Sequence, residues 1–339
     1  MEPADWVNLS DDELLEKRIS KLGLKLEGSE LEPLVRQLYD ELSQKGLTFH
    51  PPCHLGDEWF VPVGVPSIFI PFFLVHERLR KLERRMMLEV EGDTPEWFMR
   101  LIRHETAHAY AYAYQLYRKK KWQQTFGLTS TGETPQFYRP RPYSRSYVVH
   151  LDDWYAQSHP DEDFAETFAV WLDPQSMWAT HYAAWPAQRK LEYMDRLMRE
   201  LAHRKPSLVS KRQVDPVSRL KKTLGEHYRK KREHYGLDHP DFYESDLSKL
   251  FSDAPQYAKN LSAARFLRRL RKEVRATVAS FTDSYQYTID QLLEGIIDRC
   301  RELNLRLMES EESTKIDFMV FLTVQTMNYL HSGRHRVAL

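Results

Sequence analysis

The chain has 339 residues, of which 42% are hydrophobic and 29% are charged, and its 49 basic and 49 acidic side chains give a formal net charge of zero. This composition is typical of a globular protein with one large or two modest domains, and it lacks the global charge of a polyanion-binding protein. Two distant cysteines exclude a disulfide framework, no apolar run is long enough to span a bilayer, and the acidic N-terminus lacks the apolar core of a signal peptide, so we expect a cytoplasmic protein.

The first 92 residues predict a small α/β region. Capping boxes at Ser10–Glu13 and Ser29–Glu32 indicate two short helices, and a charged amphipathic helix is predicted over 74–90. Short strands are predicted at 22–26, 47–49, 58–61 and 67–70. Interspersed prolines confine these strands to the edges or ends of a sheet. The 58–70 region is either an edge that binds an extended substrate or a plain structural sheet.

The most informative stretch is His104-Glu105-Thr106-Ala107-His108. Thr94 is suited to cap a helix with Pro95 in its first position, and a helix is predicted over 95–120. Residues four apart share a helix face, so the two imidazoles can bind one cation, with Glu105 close enough to hold a metal-bound water. This geometry is typical of a zinc peptidase, and the alternative is two ordinary histidines on a partly buried face.

A second stretch follows 54 residues later and carries two carboxylates, Glu162 and Glu166. Ser158 is predicted to cap this helix and Asp173-Pro174 to end it. The spacing places both carboxylates on one face, where one can complete a His₂Glu site and the other can orient a ligand imidazole. Spacing alone does not decide which does which, and a solvated acidic face is the alternative. The basic loop at 119–147 is either a rim that contacts substrate or a solvated surface loop.

Together, His104-Glu-x-x-His108 and Glu162-Asp-Phe-Ala-Glu166 resemble the gluzincin metallopeptidases, particularly a group of bacterial zinc-binding metallopeptidases and, more distantly, anthrax lethal factor. The resemblance covers roughly residues 20–204. It implies a zincin-like fold in which Glu162 is the third ligand and Glu166 lies behind it. It also implies that Tyr155, seven residues before Glu162, donates a hydrogen bond to the oxyanion.

The C-terminal part is predicted to be helical. A helix over 186–203 would close the first domain, and Lys205-Pro206 resembles a boundary. Residues 205–275 contain 18 Lys and Arg against nine Asp and Glu. This basic region either binds an acidic partner or is neutralised by acidic neighbours, and it carries no nucleic-acid module, so we expect no nucleic-acid partner. Two further apolar helices over 285–330, split by an acidic turn at 309–313, suggest a bundle.

These patterns predict an α+β chain. A zincin-like domain over 1–204, with a small mixed sheet in an N-terminal α/β part (1–92) and the active-site helices in 93–204, precedes an all-helical domain over 205–339. The predicted function is a zinc-dependent peptidase with one Zn²⁺ held by His104, His108 and Glu162 and a water activated by Glu105. Its partner would be a peptide or protein substrate. The alternative is a non-catalytic zinc-binding regulatory protein that recruits partners through its basic helical domain.

Overall fold

The computed structural model describes residues 5–128, 138, 140–152, 154–209, 217–235, 247–282 and 284–331. The chain is mostly helical, at 60% helix. The helices of the described residues are α1 (Asp11–Leu15), α2 (Glu32–Gln44), α3 (Glu77–Met87), α4 (Pro95–Ala113), α5 (Lys120–Phe126), α6 (Pro160–Leu172), α7 (Trp178–His181), α8 (Gln188–Leu201), α9 (Leu224–Tyr235), α10 (Ala263–Thr282), α11 (Gln286–Glu302) and α12 (Glu311–His331). None of them is both long and apolar enough to cross a membrane.

The strands are few and short. Strands β1 (Cys53–Gly56) and β2 (Ile68–Pro71) pair in parallel with Cys53 opposite Ile68, and Phe60 forms an antiparallel bridge to Phe69. Strands β3 (Phe251–Ser252) and β4 (Arg306–Leu307) form an antiparallel pair. The elements agree with the predicted α+β class, whereas the zincin-like arrangement stays a prediction. The pair β3–β4 also shows that the C-terminal part is not purely helical.

Three of the predicted strands are wrong. Residues 22–26 and 47–49 form no strand, and within 58–61 only Phe60 makes a bridge. Gly23 has a φ of +65°, a left-handed conformation that interrupts an extended run. The Phe49 carbonyl accepts a hydrogen bond from the Tyr110 hydroxyl (2.6 Å), so a side chain satisfies it where a strand partner was expected.

Helix α4 begins where it was predicted but ends earlier, at Ala113 instead of residue 120. Gln115 has a φ of +50°, which no α-helix accommodates. The Ala113 carbonyl accepts a hydrogen bond from the Leu208 amide (2.9 Å), and the Tyr114 hydroxyl donates one to the Arg204 carbonyl (3.0 Å). A later part of the chain therefore satisfies the helix end, which local sequence does not reveal.

The chain divides into two compact units. The first comprises the described residues up to 86 and from 90 to 228, and the second comprises 87–89 and the described residues from 229 onward. Our predicted division at residues 204/205 stays a prediction. In the first unit α4 and α6 pack along each other, and every residue of α6 from Glu162 to Leu172 is buried.

The second unit is built on α10, α11 and α12. Its core contains large apolar side chains from all three helices and from β3, among them Phe251, Phe266, Leu293, Ile296 and Phe318. Part of the basic charge of α10 is neutralised within the unit. Arg271 and Arg275 both contact Asp290, which is buried, and Arg269 pairs with Glu311.

Candidate metal centre

Helix α4 presents the two histidines. The Thr94 side chain caps it by accepting a hydrogen bond from the Trp97 amide (3.2 Å), and Pro95 follows in the first turn as predicted. Since α4 lies in the core, most of its residues from Phe98 onward are buried. His104 is fully buried and His108 is partly exposed. Their ring centroids lie 4.9 Å apart. The helix therefore holds both imidazoles on one side, and His108 is the more exposed of the two.

Helix α6 presents the carboxylates. Its N-cap is His159, whose Nδ1 accepts a hydrogen bond from the Asp161 amide (3.2 Å). The prediction that Ser158 caps this helix is wrong, because the Ser158 hydroxyl instead donates to the Tyr155 carbonyl (2.8 Å). Pro160 then starts the helix, and one turn separates Glu162 from Glu166. Both face α4.

Three donor atoms from the two helices converge on one point. His104 Nε2 lies 3.0 Å from Glu162 Oε2, His108 Nε2 lies 3.2 Å from the same oxygen, and the two Nε2 atoms are 3.1 Å apart. Ligands on a tetrahedral ion with bonds of about 2.0–2.1 Å are about 3.3–3.4 Å apart, so this near-equilateral triangle fits such an ion closely. His104, His108 and Glu162 could therefore hold a metal ion.

Glu166 lies behind His104 instead of joining the three donor atoms. His104 Nδ1 is 2.8 Å from Glu166 Oε1, and the other carboxylate oxygen accepts a hydrogen bond from the Leu151 amide (2.8 Å). Because an ionised carboxylate can only accept, this contact places a proton on Nδ1, so Nε2 is the nitrogen of His104 that could bind an ion. Such a carboxylate partner is the usual support of a metal-ligating histidine.

The charges of this cluster depend on one another. Burial alone would lower the pKa of His104, but Glu162 and Glu166 outweigh it and raise that pKa to about 10. Burial would raise the pKa of Glu162, but His108 and His104 hold it below its ordinary value. Glu162 therefore stays ionised, and a cation bound by His104 would have to replace a proton on that ring.

Glu105 and Tyr155 border the three donor atoms. Glu105 is 4% exposed and its carboxylate makes no hydrogen bond among the described residues. Burial raises its pKa, although His108 and His104 act in the opposite direction. Tyr155 begins a 3₁₀ turn over 155–157, and its ring centroid lies 5.8 Å from that of His104. Burial raises the pKa of Tyr155 well above its ordinary value, with Glu162 adding to the effect, so its hydroxyl stays protonated and available as a donor.

Comparisons with known protein families, with curated proteins and with solved structures found no match.

Two further residues near the three donor atoms were not predicted from the sequence. Burial raises the pKa of Tyr112 to about 12, and Asp161 and Glu162 both contribute, which places its hydroxyl near the centre. Tyr112 follows His108 by four positions, so helical spacing alone could have indicated it. Asp161 is half-buried beside His108 and Glu162, and only its position next to Glu162 hinted at this.

Other candidates lie elsewhere. Asp152, which is next to a residue whose amide donates to Glu166, itself faces Arg100 at 3.5 Å. His181 is exposed and packs against Tyr182 and Trp185. Asp153 and much of the basic loop, residues 129–137 and 139, lie outside the described residues.

Proposed function

We propose that this chain is a zinc-dependent peptidase. The observation that supports this most strongly is the convergence of two imidazoles and one carboxylate on one point. A second buried carboxylate, Glu105, interacts electrostatically with all three and makes no hydrogen bond among the described residues. Imidazole nitrogen and carboxylate oxygen suit Zn²⁺, and three protein ligands leave a position for water or substrate. A purely structural zinc site would usually fill its fourth position with protein and would have no use for Glu105.

Each residue would have a distinct role. His104, His108 and Glu162 would hold the zinc, and Glu166 would fix the tautomer of His104. When bound, zinc would polarise the scissile carbonyl and lower the pKa of water to about 7. Glu105 would accept the proton of the attacking water and pass it to the leaving amine, a role that suits a carboxylate whose pKa is raised by burial. Tyr155 would donate a hydrogen bond to the oxyanion, worth about 3 kcal/mol.

Glu105→Gln tests the proposal. The variant should bind zinc as the wild type does and should cleave a mixed peptide library about 10²–10⁴-fold more slowly, because only the proton acceptor is lost. Metal content by mass spectrometry and library digestion with and without a chelator measure the two properties. Glu96→Gln is the matched control, since Glu96 is exposed on the same helix.

The outcomes separate the alternatives. Unchanged, chelator-sensitive cleavage by Glu105→Gln would remove that residue from the reaction. Stoichiometric zinc without any cleavage by the wild type would favour a non-catalytic zinc-binding protein.

A further inference from the structure

An exposed tyrosine occupies a backbone conformation that ordinarily favours glycine. Residues 141–144 form a tight turn in which the Ser144 amide donates to the Arg141 carbonyl (3.2 Å), with Pro142 and Tyr143 in the centre. Tyr143 has a φ of +62° and is 88% exposed. In such turns the third position usually belongs to glycine or asparagine. A bulky side chain there is strained, and strain of this kind concentrates at ligand clamps and active sites.

A second strained aromatic residue faces the first. Trp154 has a φ of +52°, and its ring meets that of Tyr143 edge to face with centroids 5.8 Å apart. Trp154 directly precedes Tyr155, whose ring contacts His104. The aromatic pair of Tyr143 and Trp154 is therefore continuous in sequence with the edge of the metal centre.

The turn is fixed to the segment that carries Tyr155. The Gln157 side-chain carbonyl accepts a hydrogen bond from the Arg141 amide (2.8 Å), and its amide group donates to the Arg141 carbonyl (3.1 Å). The ring of Tyr138 also packs edge to face on Tyr155, at 6.3 Å between centroids. The two hydrogen bonds between Gln157 and Arg141 fix the backbone of the turn, and therefore the position of Tyr143, although the Tyr143 side chain is almost fully solvated.

Local charge limits what can pack on the pair. Arg141 in this turn and Arg145 directly after it are exposed, and neither forms an ion pair with a carboxylate of the described residues. The Arg145 guanidinium lies 5.7 Å from the Trp185 ring centroid instead. These two cations would repel a Lys or Arg side chain, whereas an uncharged aromatic ring could pack on the pair without that cost.

We propose that Tyr143 and Trp154 form a subsite for an aromatic side chain close to the scissile bond of a peptide substrate. This inference rests on the proposed peptidase function, and it names a substrate class for it. Edge-to-face or offset packing against the aromatic pair would give an aromatic residue an advantage of about 2- to 10-fold over an aliphatic one.

The test uses blocked pentapeptides, acetyl-Ala-Ala-Xaa-Ala-Ala-amide, with Phe, Leu or Lys at the central position. Calorimetry on the full-length Glu105→Gln protein gives binding without turnover, and kcat/KM of the wild type gives selectivity. Both measurements are repeated after Tyr143→Gly or Tyr143→Phe is added to each protein. The control is Phe281→Ala, which removes an aromatic ring that is 80% exposed in the second unit. Glycine relieves the strained φ, so a loss of binding in Tyr143→Gly would not come from unfolding.

In the wild type, we expect affinity and kcat/KM to be highest for the Phe peptide, lower for Leu and lowest for Lys. Tyr143→Gly should lose the preference for Phe without a lower unfolding midpoint. Tyr143→Phe and Phe281→Ala should keep that preference. An unchanged preference in Tyr143→Gly would overturn the subsite even if the peptides are cleaved. Binding that depends on Tyr143, in a protein that cleaves none of the peptides, would support the subsite and contradict the peptidase function.

Discussion

Arg103, which directly precedes His104, stabilises the packing of two helices and does not contribute a donor atom to the candidate metal centre. Arg103 forms two parallel hydrogen bonds to Glu41 of α2, at 2.8 and 2.7 Å, and both side chains are more than 90% buried. A fork of this kind gives geometric specificity as well as energy. Arg103 thereby ties α2 to the helix that carries both histidines.

We expect Arg103→Met to lower the free energy of unfolding by about 3–5 kcal/mol, because the buried Glu41 carboxylate would lose its counter-charge and keep only the hydrogen bond from Gln37. Urea denaturation measures the change. The control is the double variant Arg103→Met with Glu41→Leu, which removes both charges and should recover most of the loss. A single variant as stable as the wild type would show that water reaches Glu41.

Glu166 permits a sharper test of the centre. Glu166→Gln should weaken zinc binding by about 10- to 100-fold without abolishing it, because the side chain could still contact His104 but would lose its charge. Competition against a chelator of known affinity measures this. Glu192→Gln, an exposed position on α8, is the matched control. Complete loss of zinc, as expected for Glu162→Ala, would mean that Glu166 is itself a ligand.

The roles of these residues could be predicted from the sequence only where the interacting residues lie close together along the chain. The pair His104 and His108 could be recognised because one helical turn fixes their relation. Glu162 and Glu166 could not be told apart, since they lie on one face and only the packing of α6 on α4 shows which one meets both Nε2 atoms. The partnership of Arg103 with Glu41, 62 residues apart, had no sequence signal at all.

At the scale of elements, short segments from distant parts of the chain join. The Ile19 amide donates to the Lys222 carbonyl (3.1 Å), and the Leu224 amide donates to the Lys17 carbonyl (3.0 Å). Lys222 Nζ also contacts Asp57 Oδ2, directly after β1, at 2.7 Å. Residues 217–224 thus join the N-terminal region and the small sheet of the first unit.

The ion pair of Asp57 and Lys222 should make stability depend on pH. Burial would raise the pKa of Asp57, but Lys222 outweighs it and the pKa is lowered. A lowered folded-state pKa contributes stability above the unfolded value, about 3.9, and that contribution is lost as the pH falls through the folded value. Asp57→Asn should therefore be less stable than the wild type at pH 7, by up to about 1 kcal/mol, with the difference vanishing at lower pH.

Thermal unfolding of both proteins between pH 7 and pH 2 measures this difference, with Asp253→Asn, at an exposed acidic position, as the control. A difference that is constant over the whole range would contradict a charge effect.

Some local signals predicted their elements correctly, although the caps predicted at Ser29 and Ser158 do not form. Elements defined by tertiary contacts were not predictable. The Ser10 capping box forms as predicted, and α6 ends at Leu172 with Asp173 as its C-cap, directly before Pro174. Strand β1 escaped prediction because its four residues have no clear alternation and are defined only by their parallel partner. The early end of α4 depends on Leu208, far along the chain.

At the scale of the whole molecule, the two units differ in their aromatic content. All eight tryptophans lie in the first unit, from Trp6 to Trp185, which also holds the metal centre. Tryptophan fluorescence therefore reports the unfolding of that unit, whereas circular dichroism reports the helices of both.

Zinc should shift the fluorescence-detected transition upward. A ligand at 100 times its dissociation constant stabilises the folded state by about 2.7 kcal/mol, and a chelator should reverse the shift. Ile296→Ala is the control, because it opens a cavity in the second unit, at a cost of about 2–5 kcal/mol there, and should leave the zinc shift unchanged. An identical fluorescence transition with zinc and with chelator would exclude zinc binding in the first unit.

The division of the donor atoms between α4 and α6 also bears on protein synthesis. A nascent chain that ends before Glu162 contains only two of the three donor atoms, the imidazole nitrogens of α4. It also lacks Glu166, whose carboxylate accepts the hydrogen bond of the Leu151 amide in the folded chain. A metal ion could contact all three donor atoms only after α6 has left the ribosome and packed on α4. Metal loading would then follow the folding of this unit, and a premature stop between the two helices would yield a product with no competent site.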